Sequence, residues 1–125
     1  MSACRAGGGR REAFAACVTQ VAVVRRWVAE VLREHPALDD CVLLASETFT
    51  NAVLHGGGDK VEVSVDVQER SVVVAVTDGG SGMLPHVVDE PCALGGRGLF
   101  IVQALAREWG FDVLDGGGVR VWFSR

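Results

Sequence analysis

The placement of glycine restricts the fold of this chain more than any other feature. Fifteen of the 16 glycines lie in five groups of three, at positions 7–9, 56–58, 79–82, 95–98 and 116–118, and the groups separate long apolar segments. Low-complexity sequence scatters its glycines or runs them together, whereas glycines between periodic segments mark turns and the ends of helices. Each group therefore requires its own structural explanation.

Length and composition fit one folded domain. A chain of 125 residues buries about two-thirds of its unfolded surface, so it needs no metal or disulfide to hold a core. Hydrophobic residues make up 49% and charged residues 22% of the sequence, which excludes disorder of the whole chain. Residues 1–10 lack the apolar core of a signal peptide. We therefore expect a disordered tail over 1–10 and a single domain over 11–125.

Charge and hydropathy argue against nucleic acid and a membrane as partners. The net charge is −4, and the basic residues are spread along the chain, so we expect no surface for nucleic acid. No unbroken apolar stretch approaches the roughly 20 residues of a membrane span. The four cysteines show no C-x-x-C spacing, which disfavours a zinc site or a redox pair. These features predict a cytoplasmic protein with reduced cysteines.

Apolar periodicity predicts two helices in the first half of the chain. Residues 11–17 fit either a short edge strand or the start of a helix, because their periodicity does not separate the two. A first helix follows its N-cap, Thr19, and ends at the next proline. Asp39 or Asp40 caps a second helix, which ends at the glycines of 56–58. The core stripe of this second helix is predicted to consist of Val42, Ala45, Phe49, Ala52 and Val53.

The second half of the chain predicts two hairpins. Strict alternation of apolar and polar residues over 61–67 indicates a strand with one solvent-exposed face. Residues 71–77 are apolar on both faces, which predicts a central strand that pairs with it. A long loop over 79–96 and a third helix over 97–109 follow. The second hairpin has strands over 111–114 and 119–123. The fold class is therefore α+β, a two-layer α/β sandwich with three helices on one face of a mostly antiparallel mixed sheet.

Glu47 and Asn51 share one face of the second helix, roughly opposite the predicted core stripe. Leu43 and Leu54 flank the pair, which fits either a solvated helix surface or a partly covered pocket. In a pocket, the amide oxygen of Asn51 suits magnesium, and Glu47 can accept a proton from an attacking hydroxyl or water. His55 continues this face, and we interpret it as a cap of the last helix carbonyls.

Asp78 follows the central strand directly and opens a segment that contains Gly80 and Gly82. Asp-Gly is a common turn signal, but a hairpin turn would lead at once into another strand, and here a long loop follows. A carboxylate at the end of a strand, with glycines clearing the space beside it, can accept a hydrogen bond from an exocyclic amine while a flat ring enters.

Gly96 and Gly98 lie at the start of the third predicted helix, with Arg97 between them. The N-terminus of a helix presents unpaired N–H groups, and glycine lets an anion approach that backbone. Arg97 adds a guanidinium for phosphate oxygens. A flexible hinge is the alternative interpretation. The Walker loop is excluded because the only lysine, Lys60, is followed by Val61, and the dinucleotide fingerprint lacks its third glycine.

Together these segments resemble one family. The patterns E-x-x-x-N from Glu47, D-x-G-x-G from Asp78 and G-x-G-L from Gly96 resemble the N, G1 and G2 boxes of the GHKL ATP-binding superfamily, over about residues 19–123. The small size is most similar to its stand-alone branch, the anti-sigma-factor serine/threonine kinases. The resemblance implies the GHKL ATPase fold and a homodimer that binds ATP and Mg²⁺. It also implies two protein partners, a sigma factor and an anti-anti-sigma antagonist that the kinase phosphorylates.

The resemblance implies a role for each matching residue. Glu47 becomes the general base, Asn51 the magnesium ligand, and Asp78 the acceptor for the adenine amino group. The residues expected to contact the nucleotide are Asn51, Asp78, Gly80, Gly82, Gly96, Arg97, Gly98 and Leu99. Residues 83–95 become a mobile lid between two glycine groups, while those at 56–58 and 116–118 are interpreted as plain turns.

One departure from the family concerns the last strand. Arg120 aligns where the family often has a threonine near the adenine. This departure favours an alternative function, a non-catalytic ATP-binding module that regulates a partner by sequestration.

Overall fold

A five-stranded sheet carries two helices on one face in the computed structural model, which describes residues 8–80 and 104–125. The order of the strands is β1-β2-β3-β5-β4, and every ladder between these described strands is antiparallel. The elements are β1 (Gly8–Ala15), a 3-10 helix (Val18–Gln20), α1 (Val21–Val31), α2 (Leu38–His55), β2 (Lys60–Val67), β3 (Val72–Asp78), β4 (Glu108–Val113) and β5 (Val119–Ser124).

The register of the sheet aligns apolar residues in rows on the face beneath the helices. Val63 of β2 pairs with Val76 of β3, which in turn pairs with Val121 of β5. Successive side chains of a strand point to opposite faces, so alternate residues of each strand form this face. The side chains of this face that are at most 1% exposed are Val61, Val63, Val65, Val72, Val74, Val76 and Phe123.

An aromatic cluster ties the edge strand to both helices. Phe14 of β1 makes edge-to-face contacts with Trp27 of α1 and Phe49 of α2, with ring centroids 5.8 Å and 6.1 Å apart. Residues 11–15 are therefore a strand and not the start of a helix. This strand begins at Gly8, so residues 8–10, which we assigned to the tail, pair with β2. Residues 1–7 lie outside the described part of the chain.

The first helix begins later than predicted. Thr19 does not cap it, because Thr19 lies within the 3-10 helix and the N-cap residue, Gln20, makes no side-chain capping bond. The Thr19 hydroxyl instead lies 3.1 Å from the sulfur of Cys17. This hydrogen bond lowers the pKa of the exposed Cys17 thiol.

Asp39 and Asp40 lie in the first turn of α2 and not at its N-cap, which is Ala37. Their carboxylates lie near the positive end of the helix dipole and stabilise the helix there. Asp40 also accepts hydrogen bonds from Nε and Nη2 of Arg125, each at 2.9 Å, and the backbone N–H of Arg125 donates to Val72. These contacts join the start of α2 to the start of β3 and to the residue that follows β5.

The third predicted helix ends earlier than residue 109. Ala104 and Leu105 are helical, but β4 begins at Glu108 and contains Trp109. The apolar residues at 109, 111 and 113 alternate, so the period is that of a strand and not of a helix. Residues 97–103 of that prediction lie outside the described residues, and the parallel pairing implied by a mixed sheet is not found between the five described strands.

Phe49 tests the contribution of the aromatic cluster to stability. We expect Phe49→Ala to lower the free energy of unfolding by about 3–5 kcal/mol, because Phe49 is fully buried and its removal leaves a cavity. Leu54→Ala on the same helix is the control, since 54% of Leu54 is exposed, and it should cost less than about 0.5 kcal/mol. Denaturant unfolding of both variants checks this, and equal losses would contradict the described core.

Cys41 should make stability depend on pH in the alkaline range. Burial raises the pKa of its thiol from 9.0 to about 11, and the neighbouring Asp40 carboxylate adds to the shift. Because the folded state holds this proton more tightly, the stabilisation is present below pH 9 and lost as pH rises toward 11. Cys41→Ala should therefore lose less stability than the wild type across this interval. Parallel pH profiles of the two proteins would contradict the burial of this thiol.

Candidate functional site

The predicted pair on α2 lies at the flank of the buried face. The buried residues of this helix are Cys41, Leu44, Ala45, Ser46, Thr48 and Phe49. Compared with the predicted stripe, this face is turned toward Asn51, because Leu44 and Thr48 are buried while Val42 is only half-buried. Glu47 and Asn51 are both half-buried. Asn51 therefore lies at the border of the core and not opposite to it.

The two leucines beside the pair do not close a pocket over it. Leu43 is 36% exposed and Leu54 is 54% exposed, so both present apolar surface to solvent beside Glu47. His55 lies half-buried in the last turn of α2, and its role as a cap of the helix carbonyls stays a prediction. The face of α2 that carries Glu47 is therefore accessible to a second molecule.

Asp78 ends β3 and faces the helix layer. It is half-buried and lies on the same face of its strand as Val74 and Val76. The backbone N–H of Gly80 donates to its Oδ1 at 2.6 Å. A Cβ atom added to Gly56 would lie 2.5 Å from its Oδ2. The carboxylate is thus held between the end of α2 and the backbone that follows β3.

Three glycine groups meet at the end of β3. The N–H of Gly79 donates to the carbonyl oxygen of Gly57 at 2.7 Å. A Cβ atom on Gly57 would overlap the backbone of Gly80, and one on Gly80 would overlap the peptide that joins Gly117 to Gly118. Gly80 also has a φ of +83°, which L side chains rarely adopt. We call this contact of Gly57, Gly80, Gly117 and Gly118 the glycine junction.

The glycine junction changes the interpretation of two groups. We assigned positions 56–58 and 116–118 to plain turns, but both contact the segment that follows Asp78. In the sequence, the sign of these contacts was the clustering of the glycines in groups of three. Sequence reasoning missed the contacts because they join a helix end, a strand end and a hairpin loop that are distant along the chain.

An apolar surface extends from Asp78 across the last two strands. Asp78 pairs with Val119, and Val119 pairs with Val113. Paired side chains on one face lie about 5 Å apart. Val113 is 58% exposed and Phe111, on the same face of β4, is 37% exposed. Val119 is only 4% exposed, so Phe111 and Val113 supply the exposed area. This apolar patch of Phe111, Val113 and the buried Val119 borders a carboxylate, an arrangement that the sequence analysis did not identify.

Arg120 lies on the other face of the sheet. It pairs with Thr77 and Asp112, one position away from the row of Asp78. Its Nη1 lies 3.3 Å from Oδ2 of Asp112. The β5 residue beside Asp78 is therefore Val119, and the prediction that Arg120 lies near the ligand side of Asp78 is wrong.

Magnesium ligands from the protein are few in the part of the chain that the structure describes. No group of three or more His, Cys, Asp or Glu side chains that could hold a metal lies within residues 8–80 and 104–125. Mg²⁺ usually keeps several waters and takes one or two protein oxygens together with substrate phosphates. The role of Asn51 as the magnesium ligand stays a prediction.

The remaining site predictions lie outside the described residues. These are the lid at 83–95 and the residues Gly82, Gly96, Arg97, Gly98 and Leu99. The roles of these residues stay predictions. Within the described helices, none is long and apolar enough to cross a membrane.

Comparison with known proteins places both helices and four of the five described strands in one family. Residues 14–125 match the histidine kinase-like ATPase domain. The crystal structure of the RsbU and RsbW domains of Rv1364c from Mycobacterium tuberculosis is similar, with a TM-score of 0.68 and 23% sequence identity. The similarity covers 94% of this chain and 33% of that chain, so this chain spans about a third of its length. No curated protein matches the sequence. The structural similarity confirms the predicted fold class.

Substitution of Arg120 tests whether its side chain lies on the face of the sheet opposite to the ligand. We expect Arg120→Ala to leave the affinity for ATP, the ligand that the sequence resemblance implies, within about twofold of the wild type, because an exposed ion pair contributes little. Asp112→Ala, which removes the partner of the same pair, is the matched control and should behave alike. Titration calorimetry measures both affinities, and a selective loss in Arg120→Ala would place that side chain at the ligand.

Proposed function

Because the chain belongs to the histidine kinase-like ATPase domain family, we propose that it binds ATP between Asp78 and α2. We further propose that it acts as an anti-sigma factor with serine/threonine kinase activity toward an anti-anti-sigma antagonist. The observation that carries this proposal is the Asp78 carboxylate, fixed by the Gly80 N–H at 2.6 Å and bordered by the apolar patch.

The surroundings of Asp78 favour an amine on an aromatic ring. An ionised carboxylate only accepts hydrogen bonds, and the exocyclic amine of adenine donates them. Asp78 also lies beside the C-terminal end of α2, which carries the negative end of the helix dipole and so favours a donor over an acceptor. The ring of the base would cover exposed apolar area of Val113, and apolar area removed from water stabilises the complex.

Asn51 and Glu47 lie at increasing distances along α2 from the helix end that contacts Asp78. Gly56 contacts Asp78, Asn51 lies five residues earlier and Glu47 nine residues earlier. At 1.5 Å per residue these positions lie about 7.5 Å and about 13.5 Å from Gly56 along the helix axis. A nucleotide whose adenine lies at Asp78 and whose phosphates run along α2 passes Asn51 before it reaches Glu47. This order supports a metal ligand at Asn51 and a base at Glu47.

In the proposed reaction, Glu47 accepts the proton of an incoming serine or threonine hydroxyl. The hydroxyl oxygen forms a bond to the terminal phosphorus, the bond from that phosphorus to the bridging oxygen breaks, and ADP leaves. Asn51 would hold a Mg²⁺ ion in part, and that ion would neutralise phosphate charge. Gly82, Gly96, Arg97, Gly98 and Leu99 complete the nucleotide contacts in this proposal.

The proposed protein partners rest on the sequence motifs. The N, G1 and G2 boxes resemble the anti-sigma-factor kinases, and a structure of the same fold carries domains named RsbU and RsbW. We accordingly propose a cytoplasmic homodimer that sequesters a sigma factor and phosphorylates the antagonist. The exposed leucines beside Glu47 support a protein substrate, because they offer apolar contact area next to the base.

A non-catalytic ATP-binding module is the second candidate function. Its support in the sequence was Arg120 in place of a threonine near the adenine. Arg120 pairs with Asp112 on the opposite face of the sheet. Val119, the β5 residue beside Asp78, has no side-chain hydrogen-bonding group, so the missing threonine still supports this candidate. The accessible Glu47 favours the kinase.

Phosphate transfer tests the proposal. Wild-type protein with Mg²⁺ and ATP labelled on the terminal phosphate should bind the nucleotide and label an antagonist protein. Glu47→Gln should keep ATP affinity but slow transfer at least about a hundredfold, because it removes the base. Asp78→Asn should weaken ATP binding about tenfold or more, because it puts an amide where the adenine amine needs an acceptor.

Glu30→Gln, an exposed acid on α1, is the matched control and should change neither property. If the wild type binds no ATP, the proposed site is wrong. Should ATP bind while no candidate antagonist becomes labelled, the kinase is contradicted and the non-catalytic module stands.

A further inference from the structure

Backbone atoms of glycines hold Asp78 on three sides. Gly80 donates its N–H to Oδ1, and Gly56 lies against Oδ2. On the third side, Gly118 lies so close that an added Cβ atom would be 2.8 Å from the carbonyl oxygen of Asp78. Gly57 packs behind Gly80 through the glycine junction. The carboxylate is therefore held by Gly80 and Gly56, and Gly118 restricts the backbone of the same residue.

We propose that Gly56, Gly57 and Gly118 are specificity-determining positioning residues, which make the site select a ring amine over a ring carbonyl. This inference rests on the proposed function, since it concerns how the same site reads adenine. The three glycines act through Asp78.

The selectivity follows from what a fixed carboxylate can do. Opposite an amine, the carboxylate accepts a hydrogen bond. Opposite a carbonyl, two acceptors face each other, and the pair must separate or admit a water. A carboxylate that is free to rotate can relieve this conflict, whereas one held by the Gly80 N–H and by the close backbone of Gly56 cannot. Close glycine packing thus converts a general acceptor into a selective one.

The β4–β5 loop offers a matched pair of substitutions. Gly116 has a φ of +89°, and a Cβ atom added to it would meet nothing within 4 Å. Alanine there introduces backbone strain without a new contact. Gly118 lies outside the left-handed region, and its added Cβ atom would press on the backbone carbonyl oxygen of Asp78 and so shift the whole residue. The two variants therefore separate loop strain from displacement of Asp78.

The experiment compares ATP with inosine triphosphate, which carries a ring carbonyl in place of the amine. Titration calorimetry gives both dissociation constants, and the melting temperature reports stability. The wild type should prefer ATP by about tenfold or more, as expected for a hydrogen bond to a charged group. Gly118→Ala presses on the backbone carbonyl of Asp78, and Gly56→Ala presses on its carboxylate and on the carbonyl oxygen of Ala52. Both variants should bring this preference close to one. Gly116→Ala should lower the melting temperature and keep the preference.

A double-mutant comparison shows whether the effect passes through the carboxylate. In Asp78→Asn protein, adding Gly118→Ala should cause no further loss of preference, because both changes remove the same interaction. A Gly118→Ala protein that melts as Gly116→Ala does and keeps the wild-type preference would overturn the positioning role alone. A wild type that binds neither nucleotide would overturn the proposed function and this inference with it.

Discussion

The close backbone packing at the end of β3 is the constraint on which the candidate site depends. There the chain brings the end of α2, the segment after Asp78 and the β4–β5 loop within contact distance, and side chains at Gly57 or Gly80 would overlap the neighbouring backbone. Because that contact fixes both the direction of α2 and the position of the carboxylate, it also sets how Asn51 and Glu47 are placed relative to Asp78. One local packing condition therefore links the fold to the chemistry.

The rest of the structure supports this contact from the other end of the helix. Arg125 binds Asp40 in the first turn of α2 and extends the sheet through Val72, while Phe49 anchors the middle of the helix against Phe14. Helix α2 is thus attached near its start by charge, in its middle by aromatic packing and at its end by glycine contacts. A helix held at three points can present polar groups at fixed positions along one flank.

Much of this fold could be predicted from periodicity, and its errors have physical reasons. Alternation in β2 and the apolar run of β3 identified the central strands, since burial on one or both faces leaves a direct pattern. Trp109 was assigned to a helix because a single aromatic residue fits either period. The contacts of the glycines at 56–58 and 116–118 could not be predicted, because no local pattern records which distant backbone a glycine meets. Glu47, Asn51 and Asp78 were identified because their spacing carries the motif, whereas the apolar patch depends on strand register.

The most direct measurement of the central claim is a crystal structure of the protein with Mg²⁺ and a non-hydrolysable ATP analogue. We expect the adenine amine within about 3.2 Å of a carboxylate oxygen of Asp78, the ring against the exposed Val113, and the phosphates on the Asn51 side of α2. A nucleotide bound elsewhere, or an adenine whose amine faces away from Asp78, would contradict it.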